Sequence, residues 1–577
     1  MSARKGKRGQ KIIRKFSRFS KKAGENSMEH IQENLVERVD HIKNVKLLIL
    51  EWSLLVLALI MLSVTQAFWY AESYSVDSWG KGGTYTEGTL GKVNSLNPLF
   101  ASTSSEKALS KLMFATLTAP DYSGHIGLNL AVSVKTEDSG STWTIKLRDG
   151  VKWSDGEPVT NQDVLYTVAI LKDPSVNSSY SSNLSKVEVT EKDGELLFSL
   201  PTAYANFPSA LDFPILPEHV LKDVDASLLL ENAFSLSPVT SGPFSYNASQ
   251  NIGTTGEKIV YLTPNESYYG GAPLLDSFAI HAFVDKESLI DAVKTGAVTA
   301  TAELSPSEAE SLASSAFTER ESAINSGVYA FFNTTGTIFN NADLRKAVQK
   351  GLDMRSLRAP TGEEVALDYP LLKTQTTLQD SQYPTLPEYD PKGAKEIISS
   401  ANLETPVNLV AANTGYIPAV AENLKYQLEQ LGFKVELHVY DPDQDFLLTV
   451  IRPRDYDILI QEIGLGADPD LFAYYHSSQA QPGGLNLSNY NNALASDLLL
   501  AARGTMDQEV RNAKYAAFLK LWVEDVPAIG IYQANMDYLV SKKVRSYSNE
   551  NHLVTSIDRY EDVSFWATQR VTKNRTP

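Results

Sequence analysis

Nineteen consecutive residues without a charge, Trp52 to Tyr70, constrain this chain more than any other feature; they lie in the run LLILEWSLLVLALIMLSVTQAFWY that begins at Leu47. A helix of that length, rising about 1.5 Å per residue, matches the hydrocarbon core of a bilayer, ~30 Å thick. Glu51 sits at one end, where it can snorkel, and Phe68, Trp69 and Tyr70 supply an aromatic belt at the other. The flanks differ in charge. Residues 1–46 hold 13 Lys+Arg against 5 Asp+Glu; subtracting these from the chain totals of 52 and 69 leaves 39 against 64, a net of −25, for residues 47–577. The positive-inside asymmetry predicts a basic cytoplasmic segment over 1–46, a single membrane-spanning helix over 47–70, a linker over 71–82 and an outer region beyond it. The cell membrane is the expected location, with a lipid bilayer as partner. A cleavable signal peptide with Thr65-Gln66-Ala67 as its small-residue site is the competing reading, but the apolar run exceeds the ~7–15 residues of a signal core.

The leader MSARKGKRGQKIIRKFSRFSKK carries 10 Lys+Arg in 22 residues, a density that also suits nucleic acid. Tied to a membrane helix, it reads instead as an orientation signal that adheres to anionic lipid, so no nucleic-acid partner is expected. Ser27 to Lys46 fits an amphipathic helix, with Ile31, Leu35, Val39 and Ile42 at spacings of three and four. The chain has no cysteine. That excludes disulfides, thiolate metal sites, a cysteine nucleophile and a lipidated cysteine anchor.

At 577 residues the chain is too long for one core. Beyond Gly80-Lys81-Gly82-Gly83, a flexible joint, it reads as mixed α/β. In WTIKLRDGVKWSDGEPVTNQDV, Trp143, Ile145 and Leu147 alternate with polar residues as a half-buried strand, Asp149-Gly150 supplies a tight turn, and Val151 to Trp153 returns along the first strand as a hairpin. Thr160, with Asp163 three residues on, opens a helix. Val407 to Asn413, Pro418 to Leu431 and FKVELHVY form a β-α-β unit, Tyr456 to Ile463 a further strand, and Asn341-Ala342-Asp343 the start of another helix.

The same stretch, Trp143 to Val164, resembles the family 5 extracellular solute-binding proteins of ABC importers, which include oligopeptide-, dipeptide- and nickel-binding proteins. GGTYTEGTLGKVNSLNPLF, FPILPEHVL, SPVTSGPFSY, LTPNESYYGGAPLLDSF, ADLRKAVQKGLDM and VEDVPAIGIYQANMDYLVSKKVRSY follow in the family's order across residues 81–560. The resemblance implies a two-lobed periplasmic-binding-protein-like α/β fold, type II and cluster C-like, with a hinge. It places lobe 1 over 83–325 and 540–577, with a subdomain inserted at about 121–214, and lobe 2 over 326–539. It implies short peptides as ligand, held extended in the cleft, and an ABC permease and ATPase on separate chains.

In the family's peptide binders an Asp in a Gly/Ala-Asp pair, after the strand that YDILIQEI resembles, holds the ligand's α-ammonium. Here that segment is EIGLGADPDLFAYYHSSQ, so Gly466, Ala467 and Asp468 match the motif and Asp470 is the next carboxylate. Either acid could instead cap a helix near Leu471. Leu465 stands where the family often has Trp, implying a wider first pocket. Tyr474, Tyr475 and His476 are candidate cleft-lining groups, although an aromatic stripe is commonly core.

Catalytic and metal-binding readings find no support in the sequence. The eight histidines form no HExxH, DPDQDF lacks the glycine and the twelfth-position glutamate of a calcium loop, and GxSxG, Walker A and GxGxxG are absent. No enzyme activity, cofactor or metal is expected. Another solute, such as a nickel chelate or sugar, or a role as ligand-sensing receptor or adaptor, are the alternatives to peptide import.

Overall fold

The computed structural model describes residues 46–574 apart from 122, 177, 179, 181–183, 363–364, 443 and 549–551. The basic leader and its expected amphipathic helix therefore lie outside the described residues, up to Lys46. The chain divides into two compact units, one comprising 1–78 with 570–577 and the other 79–569.

The first unit contains the apolar helix, Lys46–Tyr74, of which Lys46–Trp69 is long and apolar enough to cross a membrane. The expected 71–82 linker is largely ordered instead. The helix continues to Tyr74, and Ser75–Gly80 follows as a strand paired with Gln569–Asn574.

In the second unit a ten-stranded mixed sheet runs in the order Val435–Tyr440, Val407–Ala412, Ile458–Gly464, Phe317–Phe332, Ala528–Ser541, Ala300–Thr301, Thr84–Leu90, Ser277–Phe283, Glu257–Pro264 and Phe244–Ile252. Two large apolar cores flank it, with a smaller third cluster around Phe283, Leu289, Val293 and Leu539. One gathers residues such as Tyr85, Leu112, Phe213, Phe278 and Trp566; the other gathers Tyr329, Leu409, Leu424, Tyr475 and Trp522. The 16-residue strand Phe317–Phe332 and its antiparallel partner Ala528–Ser541 pass from one core to the other, Ile324 and Ala534 belonging to the first and Val328 and Tyr532 to the second. Their pairing breaks between Ala323 and Gly327. A bulge of this kind bends a strand and frees backbone groups. Gly327 follows at once because a Cβ there would meet Leu367 Cδ2 at 2.3 Å.

The β-α-β reading holds: Val407–Ala412 and Val435–Tyr440 are parallel, joined by the helix Ile417–Leu431, which stops at Gly432 with φ +111°. Asp163 closes a capping box on Thr160, its carboxylate 2.7 Å from the Thr160 amide, and opens the helix Asn161–Lys172. The expected hairpin does not form. Gly150 does turn with φ +77°, but Thr142–Leu147 pairs with Ala131–Thr136 and Glu195–Ser199 in a separate four-stranded sheet. Val151 to Trp153 closes on its own continuation, with Lys152 opposite Pro158. Both edges of the first strand are already taken, so the turn cannot fold back onto it.

A buried ion pair ties the two ends of the first core. Arg559 Nη2 lies 2.7 Å from Glu87 Oε1, the side chains 3% and 0% exposed, and the Tyr538 hydroxyl donates to Glu87 Oε2 at 3.1 Å. The Arg559 guanidinium also rests on the Tyr560 ring, 4.3 Å from its centre.

Candidate functional site

The strand break at 324–326 builds the site. With its sheet partner lost, the Asn325 amide donates to the carbonyls of Leu553 (3.2 Å) and Val554 (3.1 Å), and its own carbonyl accepts from the Leu465 amide at 2.7 Å. Its side-chain amide donates to the Gly466 carbonyl at 2.9 Å, which also accepts from Gln375 Nε2 at 2.8 Å. The Gly464–Asp468 segment is thus pinned where the long strands pass between the cores, with Gly466 at φ +69°.

Asp468 receives Arg511 Nη2 on Oδ2 at 2.8 Å, and its side chain is 18% exposed. Burial pushes its carboxyl pKa up; Arg511 opposes that shift and Asp470 adds to it. Among the described residues no donor reaches its other oxygen, and Asp468 caps no helix. Asp470 does what a cap does: Oδ1 accepts from the Phe472 amide at 3.3 Å, while Oδ2 pairs with Arg503 Nε at 3.1 Å. Ala467 is half-buried beside them.

Arg503 closes the opposite side. Its guanidinium lies 4.1 Å from the centre of the Tyr204 ring and 4.7 Å from that of Phe472. Its carbonyl accepts from the Ala205 amide at 2.8 Å. Tyr204 packs with the first core and Ala502 belongs to the second, so these contacts bridge the two halves.

The aromatic candidates separate. Tyr474 donates to the Gly464 carbonyl at 2.5 Å and packs beside the site, burial pushing its hydroxyl up to about 12. Tyr475 does not line the cleft: it is fully buried against Phe518 and Trp522, on the inward face of the short helix Phe472–Tyr475. His476 stacks on Phe472 at 4.1 Å and accepts from the Ser478 amide at 3.1 Å; burial, then Arg503, lowers its pKa. Leu465 is 5% exposed and joins the second core, so it widens no pocket.

Beside Asn325, a cavity of about 380 Å³ opens in the first half, lined by Lys111, Phe114, Tyr180, Asp212, Pro214 and Val554 among others. Sequence reasoning missed Asp212, Tyr204, Arg503 and Arg511. Asp212 alone had a local signal, one charge inside the apolar run Ala210-Leu211-Asp212-Phe213-Pro214-Ile215-Leu216. Arg511 stands 43 positions from Asp468, and no periodicity links them.

Comparison with known proteins agrees with this architecture. The chain is similar to the oligopeptide-binding protein AppA of Bacillus subtilis, 24% identical over 526 residues, covering 86% of this chain and 95% of that protein. The structure of that AppA in complex with a nonapeptide superposes with a TM-score of 0.70 at 23% identity, covering 85% of this chain and 99% of the other. NikZ from Campylobacter jejuni, in complex with Ni(L-His), has the same two-lobed fold, with a TM-score of 0.71 at 21% identity and 84% and 99% coverage. The family model described as bacterial extracellular solute-binding proteins, family 5 middle, matches residues 125–484. With that span matched, more than half of the chain, the chain belongs to the family 5 extracellular solute-binding proteins, which are binding proteins and not enzymes.

Proposed function

We propose that the chain is the membrane-anchored capture subunit of a peptide importer, holding short peptides between its two halves and delivering them to an ABC permease on a separate chain. The helix Lys46–Trp69 is the anchor, residues 1–46 face the cytoplasm, and the binding region faces outside. Lobe 1 comprises 83–325 and 540–577, with 121–214 as its inserted subdomain, and lobe 2 comprises 326–539. The observation that carries the reading is Asp468: a largely buried carboxylate on the segment that Asn325 pins beside the long crossing strands, with one oxygen bound to Arg511 and no donor among the described residues on the other. An α-ammonium desolvated in a closed cleft needs such an anion. Asp470, Tyr474 and His476 shape the same wall. The name of the AppA relative points to the same ligand class.

Calorimetric titration of free and N-acetylated peptides into the full-length chain in detergent tests this. The free form should bind the wild type more tightly. Asp468→Asn should remove about 2–5 kcal/mol from the free peptide, the range for truncating one partner of a buried charge pair, and little from the acetylated one. Equal losses on both peptides would reduce Asp468 to a partner of Arg511.

A further inference from the structure

Asp468 is not the anion in the cleft that most lacks a partner. Asp212 lies between Leu211 and Phe213, both fully buried, yet is itself exposed where it lines the 380 Å³ cavity. Its backbone is held on both sides. It ends the short helical turn Phe207–Leu211, and Pro214 bridges to Thr116 while the Ile215 amide donates to the Ala115 carbonyl at 3.1 Å. The carboxylate therefore projects from a fixed rim into open space. Among the described residues it makes no ion pair within 4 Å.

The nearby cation does not serve it. Lys111 Nζ is engaged by Glu561 and by Asp558 at 3.3 Å, and although burial works against its charge, these two acids hold its pKa above the ordinary lysine value. The titratable groups facing Asp212 are Lys111, Asp558 and Tyr180, with Lys107 also on the cavity wall. The rest of the wall is suited to a hydrocarbon stem: Phe114, Tyr180, Pro214 and Val554. The volume falls within the range of small-ligand pockets, ~300–1,000 Å³. Through Val554 and Asn325 the cavity adjoins Gly466.

We infer that this cavity is a side-chain pocket for a basic residue of the bound peptide, its methylene stem lying against Phe114, Tyr180 and Val554 and its ammonium or guanidinium group meeting Asp212. The assignment rests on the peptide reading above and adds to it a preference for cationic side chains. Long basic side chains combine an apolar stem with a charged head, which is the division this wall shows. A bound cation also supplies the ion-pair partner that Asp212 lacks among the described residues, since Lys111 is engaged by Asp558 and Glu561.

The test uses free-N-terminus tetrapeptides with a single lysine moved through alanine, each paired with its norleucine twin, titrated into the full-length wild type and Asp212→Asn at pH 7.5. At one lysine position the wild type should favour lysine over norleucine by roughly 10- to 100-fold, the worth of a charge-assisted hydrogen bond. Asp212→Asn, which keeps the shape, should abolish that ratio and leave the norleucine affinity unchanged. Peptides that bind with no lysine preference at any position overturn the pocket and leave the peptide reading standing. Equal weakening of every peptide by Asp212→Asn gives Asp212 to the α-ammonium and also overturns it. If no tetrapeptide binds the wild type, both readings fall.

Discussion

Replacing Arg503 by leucine should shift the cleft towards its open form without unfolding either half. In the wild type the guanidinium lies 4.1 Å from the centre of the Tyr204 ring, with 21% of its side chain exposed. A partly desolvated cation–π contact of this kind contributes about 0.5–2 kcal/mol. The Ala205 amide still reaches the residue 503 carbonyl in the variant, and Asp470 still caps Phe472 although it loses its ion pair with Arg503 inside the second half, so the contact with the Tyr204 ring is what the variant removes between the halves. Taking about 1 kcal/mol, the ratio of closed to open molecules falls roughly fivefold, and affinity for any ligand that needs the closed form falls by at most the same factor. Because the chain has no cysteine, Lys192→Cys and Lys392→Cys, both at exposed positions in opposite halves, label without background. Single-molecule energy transfer between them reads the two populations directly. Tyr204→Leu should produce the same shift, and the double variant little more. Distributions that Arg503→Leu leaves unchanged, with and without peptide, would refute the bridging role.

Other consequences are equally direct. Arg559→Met should cost about 3–5 kcal/mol in denaturant unfolding, because the buried Glu87 carboxyl loses its partner, and adding Glu87→Gln should recover part of the loss. Asp537 is pushed up to about 7 by burial and by Glu321 and Glu319, so the folded state favours its protonated form: its favourable contribution is complete below about pH 4 and is lost as pH rises through 7. Asp537→Asn should therefore raise the melting temperature at pH 8 by more than at pH 5; an equal rise at both would contradict the assignment. The full-length chain should stay in the membrane through carbonate and high-salt washing, and a mature N-terminus near Phe68 would show that the apolar helix is cleaved.

Local rules were legible wherever one segment contains both partners of an interaction. Thr160 and Asp163 cap their helix from three residues apart, and the strand and helix periods of residues 407–440 appear as one β-α-β unit. The hairpin at 143–153 failed because its outcome depended on strands at 131–136 and 195–199 competing for both edges. Tyr475 illustrates a related limit: a run of aromatics shows that one face is buried, not which ring turns inward. The charges of the site were least legible. Asp468 and Arg511, or Tyr204 and Arg503, meet only after two distant segments are brought together, and no period of 2 or 3.6 carries that information.

Glu87 and Arg559 are 472 positions apart, which sets an order of events as well as a bond. Chains emerge N-terminus first at ~5–20 residues per second, so the carboxylate waits tens of seconds for its guanidinium. Until then the strand Thr84–Leu90 cannot be buried without stranding a charge, and the half of the molecule that is begun first is closed last. The pair thus acts as a check on completeness: chains ending at residue 555 should remain open to protease across residues 84–302, whereas full-length chains resist.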